Sequence, residues 1–192
     1  AAGLEAVWDL RTTAGLSQKL NRATAKGAVP PGWARDPGPG LFYAPNAPHE
    51  LRGWSFNNGQ ILTRNVGTYT DCYFNNPGST VSNSKLAGLG ELAAGATTFT
   101  HCEFDGTGMI YYVPPRFGAA AMVTTRPGCP STFRGCRFDN APLLNLKSFC
   151  EVLVVEDCFF GTFGHDPAPD SHMESIFIDA GEVTFNRVCM DP

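Results

Sequence analysis

The stretch HDPAPDSHMESIFIDAG, residues 165–181, gathers His165 and His172 with the acids Asp166, Asp170, Glu174 and Asp179, and contains no lysine or arginine. Paired carboxylates flanking a bond serve as acid and base in glycoside cleavage, and an imidazole moves protons near neutral pH. Asp170, His172, Glu174 and Asp179 are therefore the catalytic candidates. Asp166, Asp170 and Glu174 also carry the hard oxygens that Ca2+ takes as ligands. No other cofactor is expected; with no C-x-x-C and no Cys/His cluster, the chain has no zinc signature. The competing reading is structural. Asp-Pro and Pro-Asp are ordinary turn pairs, and Ser171-His172 ahead of a strand would satisfy backbone groups at a bend. A second set of polar and aromatic residues, Tyr111, Tyr112 and Arg116, lies in a Pro-rich segment and suits stacking on a sugar. Phe177 joins that substrate-binding set, because by strand alternation it shares an outward face with Asp179.

The elements that would position these residues come from a repeat. LRGWSFNN (51–58), YTDCYFNN (69–76), FTHCEFDG (99–106), FRGCRFDN (133–140) and VEDCFFGT (155–162) share one pattern, with a degenerate copy in FNRVCMDP (185–192). Its Phe slot falls at 56, 74, 104, 138 and 160, and at Met190 in the last copy. Within a phrase, Phe99 has the opposite parity to Cys102 and Phe104. A flat strand cannot bury all three, because side chains alternate between faces. A bend at Thr100-His101 resolves the conflict, and equivalent bends are expected at Thr70-Asp71, Arg134-Gly135 and Glu156-Asp157. A third strand is expected after each Phe slot, at 59–63, 79–84, 108–113, 142–148 and 175–179. On that division the connection after Phe160 is longer than those after Phe74 and Phe104, which makes the acidic stretch a special insertion. The segments 91–98 and 112–130 lengthen other turns.

Three strands per repeat, stacked, is the plan of a parallel β-helix. The phrases TTFTHCEFD (97–105) and VTFNRVCMD (183–191) resemble the "VTIxNCxFD" rungs of the pectate-lyase-like β-helix superfamily. The resemblance covers residues 45–192 and implies an all-β, right-handed, single-stranded parallel β-helix of about six rungs. Stacking would place Cys72, Cys102, Cys136 and Cys158 in one buried column. The seven cysteines are odd in number, and Cys129, Cys150 and Cys189 lie outside that column and are available for pairing. Residues 1–26, with Leu4, Val7, Trp8, Leu10, Leu16 and Leu20, read as a helical cap or an attachment arm. Residues 27–44 read as a Pro/Gly-rich linker. No cap is visible after Met190, so further chain or a partner is expected over that edge.

A net charge of -4 without a basic stripe argues against nucleic acid, and no apolar run reaches membrane-spanning length. The motifs N-T-D, D-D, G-H-G and R-I-K of polygalacturonase-like members are absent. DSHMESIFI resembles the H-x-D-G-I-Q rung of β-helix proteins from bacteria and their phages, with Glu174 and Ser175 departing from it. The resulting expectation is a virion-associated module of the phage tail-spike or minor-tail type, extracellular or on the virion. It would contact cell-surface polysaccharide and would assemble with other subunits or with itself. Two alternatives stay open: a secreted polysaccharide lyase, hydrolase or epimerase using the 165–179 acids, and a purely structural assembly component.

Overall fold

Each repeated phrase has an apolar residue, a short polar break and then, in four of the six copies, a Cys-x-Phe pair, with Trp54-Ser55-Phe56 in the first and Val188-Cys189-Met190 in the last. In the computed structural model each becomes two strands that meet at a corner. The structure describes residues 29–35, 41–45, 47–57, 60–62, 66–75, 89–92, 96–106, 121–125, 127–141, 144–162, 175–179 and 181–191. Strands β1 (Ala34–Arg35) and β2 (Leu41–Tyr43) come first. They are followed by β3 (His49–Arg52), β4 (Ser55–Asn57) and β5 (Gln60–Leu62), then by β6 (Gly67–Thr70), β7 (Tyr73–Asn75) and β8 (Leu89–Leu92). Next come β9 (Thr97–Thr100), β10 (Glu103–Asp105) and β11 (Ala121–Thr125), then β12 (Ser131–Arg134), β13 (Arg137–Asp139) and β14 (Leu144–Ser148). The last are β15 (Val152–Glu156), β16 (Phe159–Phe160) and β17 (Ile176–Ile178), then β18 (Glu182–Asn186) and β19 (Cys189–Met190).

Strands of equal rank pair. A first sheet runs β3-β6-β9-β12-β15-β18, a second β4-β7-β10-β13-β16-β19, and a third β8-β11-β14-β17. All pairs within these three sheets are parallel. The chain therefore visits the sheets in turn and returns to the first one layer further on. The architecture is all-β with parallel strands, compatible with a parallel β-solenoid, and the described residues contain no helix. Residues 1–26, read as a cap or arm, lie outside the described residues. Within 27–44, β1 pairs antiparallel with β2, and β2 pairs parallel with β5.

The expected bends have a backbone cause. The corner between the first and second sheets falls on Gly53, Asp71, His101, Gly135, Asp157 and Arg187, and all six have positive φ, between 50° and 70°. One left-handed residue turns the chain so that the strands on both sides point apolar side chains inward. The ladder continues across the break: Asp71 N–H donates to Thr100 O and His101 N–H to Arg134 O, while Glu103 N–H donates back to Cys72 O. Phe99, Cys102 and Phe104 are accordingly all fully buried.

Parallel, in-register pairing then builds columns. Phe56, Phe74, Phe104, Phe138 and Phe160 are partners strand to strand, and their rings stack with centroids 5.3, 4.9, 4.7 and 4.5 Å apart. Tyr69, Phe99 and Phe133 form a second stack, which meets the first edge-on. Both geometries suit the ring quadrupole. The thiols of Cys72, Cys102, Cys136 and Cys158 fill the corner between the stacks. Each points at a main-chain carbonyl of the preceding layer, those of Leu51, Tyr69, Phe99 and Phe133, at 3.5–3.7 Å. All seven cysteines are free, so Cys129, Cys150 and Cys189 do not pair.

The third sheet corrects two expectations. Its strands after Phe74 and Phe104 are Leu89–Leu92 and Ala121–Thr125, whereas 79–84 and 108–113 lie outside the described residues. Segments 91–98 and 112–130, read as turn extensions, thus take in the end of β8, the start of β9 and all of β11. The connections between the second and third sheets are 76–88, 106–120 and 161–175, with a short one at 140–143. The acidic stretch is one of three long excursions from the same turn and is not a lone insertion. Several apolar segments there are short enough to fit a strand; the choice was made by pairing with β14 (Leu146↔Val123), which local pattern does not carry.

Candidate functional site

The third sheet brings together the described part of the candidate set. In β14, Leu144, Leu146 and Ser148 turn inward and Asn145 and Lys147 outward. Lys147 is the register partner of Phe177 in β17, and Leu146 of Ile176. Ile176 and Ile178 pack on the core, so Phe177 stands on the outer face, half-buried. Its ring centroid lies 6.0 Å from that of Phe149 at an interplanar angle of 56°. The Lys147 ammonium sits 5.2 Å from both ring centroids. Asp179, exposed, follows the strand, with its N–H donating to Ser148 O at 2.9 Å.

Lys147 differs from the arginines around it. Arg52 pairs with Asp71, Arg134 with Glu156, Arg137 with Asp139, and Arg187 with Asp157. Among the residues whose side chains are described, Lys147 is the cation that has aromatic rings and no carboxylate beside it. An ammonium held over ring faces keeps its N–H donors for another acceptor. The outer face of β14 and β17 thus offers two apolar ring surfaces, a positive charge between them, and an exposed carboxylate at one end.

The second sheet has a denser polar face, and its carboxylates are already engaged. In Tyr73, Glu103 and Arg137, register partners on the outward parity, the last two are only 5% and 6% exposed. Asp105 accepts from Tyr73 Oη at 2.8 Å and from Asn140 Nδ2 at 3.0 Å. Asp139 accepts from Arg137 Nη2, and through Oδ1 from the Asn140 and Thr162 amides and the Thr162 hydroxyl at 2.9–3.0 Å. The Arg137 guanidinium also lies over Phe159, 5.2 Å from its centroid. A carboxylate with this many donors serves as a turn staple, its acceptor sites already taken up by the protein's own groups.

Of the proposed catalytic residues, Asp179 is placed at the end of the aromatic face. Asp170, His172 and Glu174 lie outside the described residues, as do Asp166 with its Ca2+ reading and the sugar-contact candidates Tyr111, Tyr112 and Arg116. Topology still relates the two groups: 106–120 and 161–175 leave the second sheet and enter the third at the same turn, two layers apart. Among the described residues, no group of three or more His, Cys, Asp or Glu side chains is placed to hold a metal ion. Sequence reasoning missed Lys147 and Phe149. Their shared parity in NLKSF is readable, but their meeting with Phe177 needed the β14–β17 register. No family model, curated protein or solved structure matched the chain.

Proposed function

We propose that this chain is a right-handed parallel β-helix module of about six rungs. In this reading the outer face of β14 and β17 binds polysaccharide, in the setting of an extracellular or virion-borne assembly. The observation that carries it is Lys147, poised over Phe149 and Phe177 with no carboxylate beside it among the described residues. Sugar rings present C–H faces that lie on aromatic rings, and their hydroxyl or acidic groups supply the acceptor that Lys147 lacks. Asp179 would accept hydroxyl donors at the same edge. The reading favours polymers bearing carboxylate or sulfate groups over neutral ones. The rigid ladder beneath supports it too, because a site on paired strands holds its geometry better than one on a loop.

The test is equilibrium binding of the purified chain to a panel of acidic and neutral polysaccharides. Lys147→Met and the double variant Phe149→Ala/Phe177→Ala are expected to weaken binding about tenfold or more, the factor set by roughly 1.4 kcal/mol. Unchanged binding in both would remove the face from consideration. Release of reducing ends or unsaturated sugars by the wild-type chain, abolished in Asp170→Ala or Glu174→Ala, would move the reading from binding to catalysis.

A further inference from the structure

Asn145 occupies a position that a strand does not favour. It lies in the middle of the third sheet, fully buried, on the outward parity of β14, although Asn is depleted in strands. Its side-chain nitrogen bridges the two ends of the 161–175 connection. Nδ2 donates to Gly161 O at 3.3 Å, where the chain leaves β16, and to Ser175 Oγ at 2.8 Å, where it enters β17. The Asn145 and Leu146 amides both donate to Ser175 O, at 2.9 and 3.3 Å. Gly161 O can only accept, so the amide must face it with nitrogen and cannot be flipped. That leaves Oδ1 buried with no hydrogen-bond partner among the described residues. An apolar residue of similar volume would avoid this unmet acceptor. The residue thus opposes the stability of its own strand and ties together two chain ends that no other described side chain joins.

We infer that Asn145 is a positioning residue: its side-chain amide clasps the neck of the 161–175 connection, and through Ser175 it fixes the strand that carries Phe177. Ser175 is two residues before Phe177 and on the same strand face, so a freed Ser175 loosens the aromatic pair as well as the neck. As a statement about ligand binding the inference rests on the polysaccharide reading above. As a statement about the neck it does not.

The experiment uses the full chain with Asn145→Leu, which keeps the volume and removes the donor and the unmet acceptor together. Ser175→Ala, which removes one of the two acceptors, is the milder companion. Amide hydrogen exchange is followed at Leu146, bonded to Ser175 O, and at Ala141, bonded to Thr162 O, with Phe133 and Val154 in the first sheet as references. In Asn145→Leu, exchange at Leu146 and Ala141 is expected to rise about tenfold, the factor set by the loss of one or two hydrogen bonds. The references stay fixed and Tm is unchanged or higher. Ser175→Ala is expected to give a smaller rise at Leu146. Unchanged exchange at the neck would overturn the clasp. A lower Tm with faster exchange at the references would overturn it as well, making Asn145 a residue of the fold alone. If the wild-type chain binds polysaccharide, Asn145→Leu should weaken that binding severalfold. If it binds none, the polysaccharide reading fails and the exchange result still decides the clasp.

Discussion

Two neighbouring columns of the second sheet behave in opposite ways. Phe56, Phe74, Phe104, Phe138 and Phe160 point inward and repeat one residue type. One residue earlier, Ser55, Tyr73, Glu103, Arg137, Phe159 and Cys189 point outward, and no residue type recurs. The backbone is the same for both. Inside, each ring is the packing partner of the rings above and below, so a change at one layer leaves a cavity or a clash at two others. Outside, neighbours constrain one another far less, and each layer is free to carry a different chemical group. Repetition therefore marks the scaffold, and variation at a fixed outward parity marks where chemistry is available.

The contrast can be broken most strongly from the inside. Phe104→Ala removes a fully buried ring stacked on both Phe74 and Phe138. The expected loss is about 3–5 kcal/mol of unfolding free energy, measured by urea denaturation. Arg137→Met on the outward side, though also buried, should cost less, because the stem still packs and Asp139 keeps its bonds from the Asn140 and Thr162 amides and the Thr162 hydroxyl. Equal losses would erase the distinction between the columns.

The corner gives a smaller and more selective effect. Asp71, His101, Asp157 and Arg187 show that a side chain is accommodated at its left-handed position. Gly135, at φ 58°, is different, because a Cβ there would lie 2.6 Å from His101 Cδ2. Gly135→Ala should lower stability by about 1–2 kcal/mol, and a His101→Ala background should recover the part due to the ring while the left-handed strain remains. The double-mutant cycle measures the coupling; strict additivity would mean the ring is not the obstacle.

Thiol chemistry separates interior from surface without mutation. Burial pushes the Cys102, Cys136 and Cys158 thiols well up from their ordinary value, and the thiolate is the reactive form. At pH 8 a thiol reagent should modify Cys189 first, because it alone among the seven is partly exposed. The remaining six should react on unfolding. Fast reaction of a second thiol in the native state would show an open corner.

The smallest effect belongs to the outermost corner pair. Arg187 meets Asp157 through Nε–Oδ1 at 2.5 Å and Nη2–Oδ2 at 2.7 Å, and these bonds hold the Asp157 carboxyl below the usual range. A lowered folded value means the contribution is present above the unfolded Asp value of about 3.9 and is lost as pH falls through the folded one. The Tm difference between wild type and Arg187→Gln should thus be positive at pH 6 and shrink toward pH 2. Both groups are partly in solvent, so 1 M salt should reduce the difference at pH 6.

The interior was legible because its residues answer to local rules. The parity conflict among Phe99, Cys102 and Phe104 demanded a bend, and positive φ at His101 is that bend. The outward parity of Phe177 and Asp179 was readable in the same way. The third sheet was less legible: STVSNS (79–84) and GMIYYV (108–113) read as its strands, while the pairing fell on Leu89–Leu92 and Ala121–Thr125. Phe177 is remote in the chain from Lys147 and Phe149, and the three meet only because Lys147 is the register partner of Phe177. Asn145 looked like one more polar residue on a strand until Gly161 and Ser175 stood beside it.

The sequence by itself determined the repeating two-strand corner, the Phe and Cys columns and the inward or outward sense of the residues in the repeated phrases. Periodicity and steric exclusion act over a few bonds and are written into every phrase. Which third strands pair, which outward residues become neighbours and which side chain closes the neck of a long connection were decided by tertiary structure. Those contacts depend on the register between layers, and that is set by the packing of the whole stack.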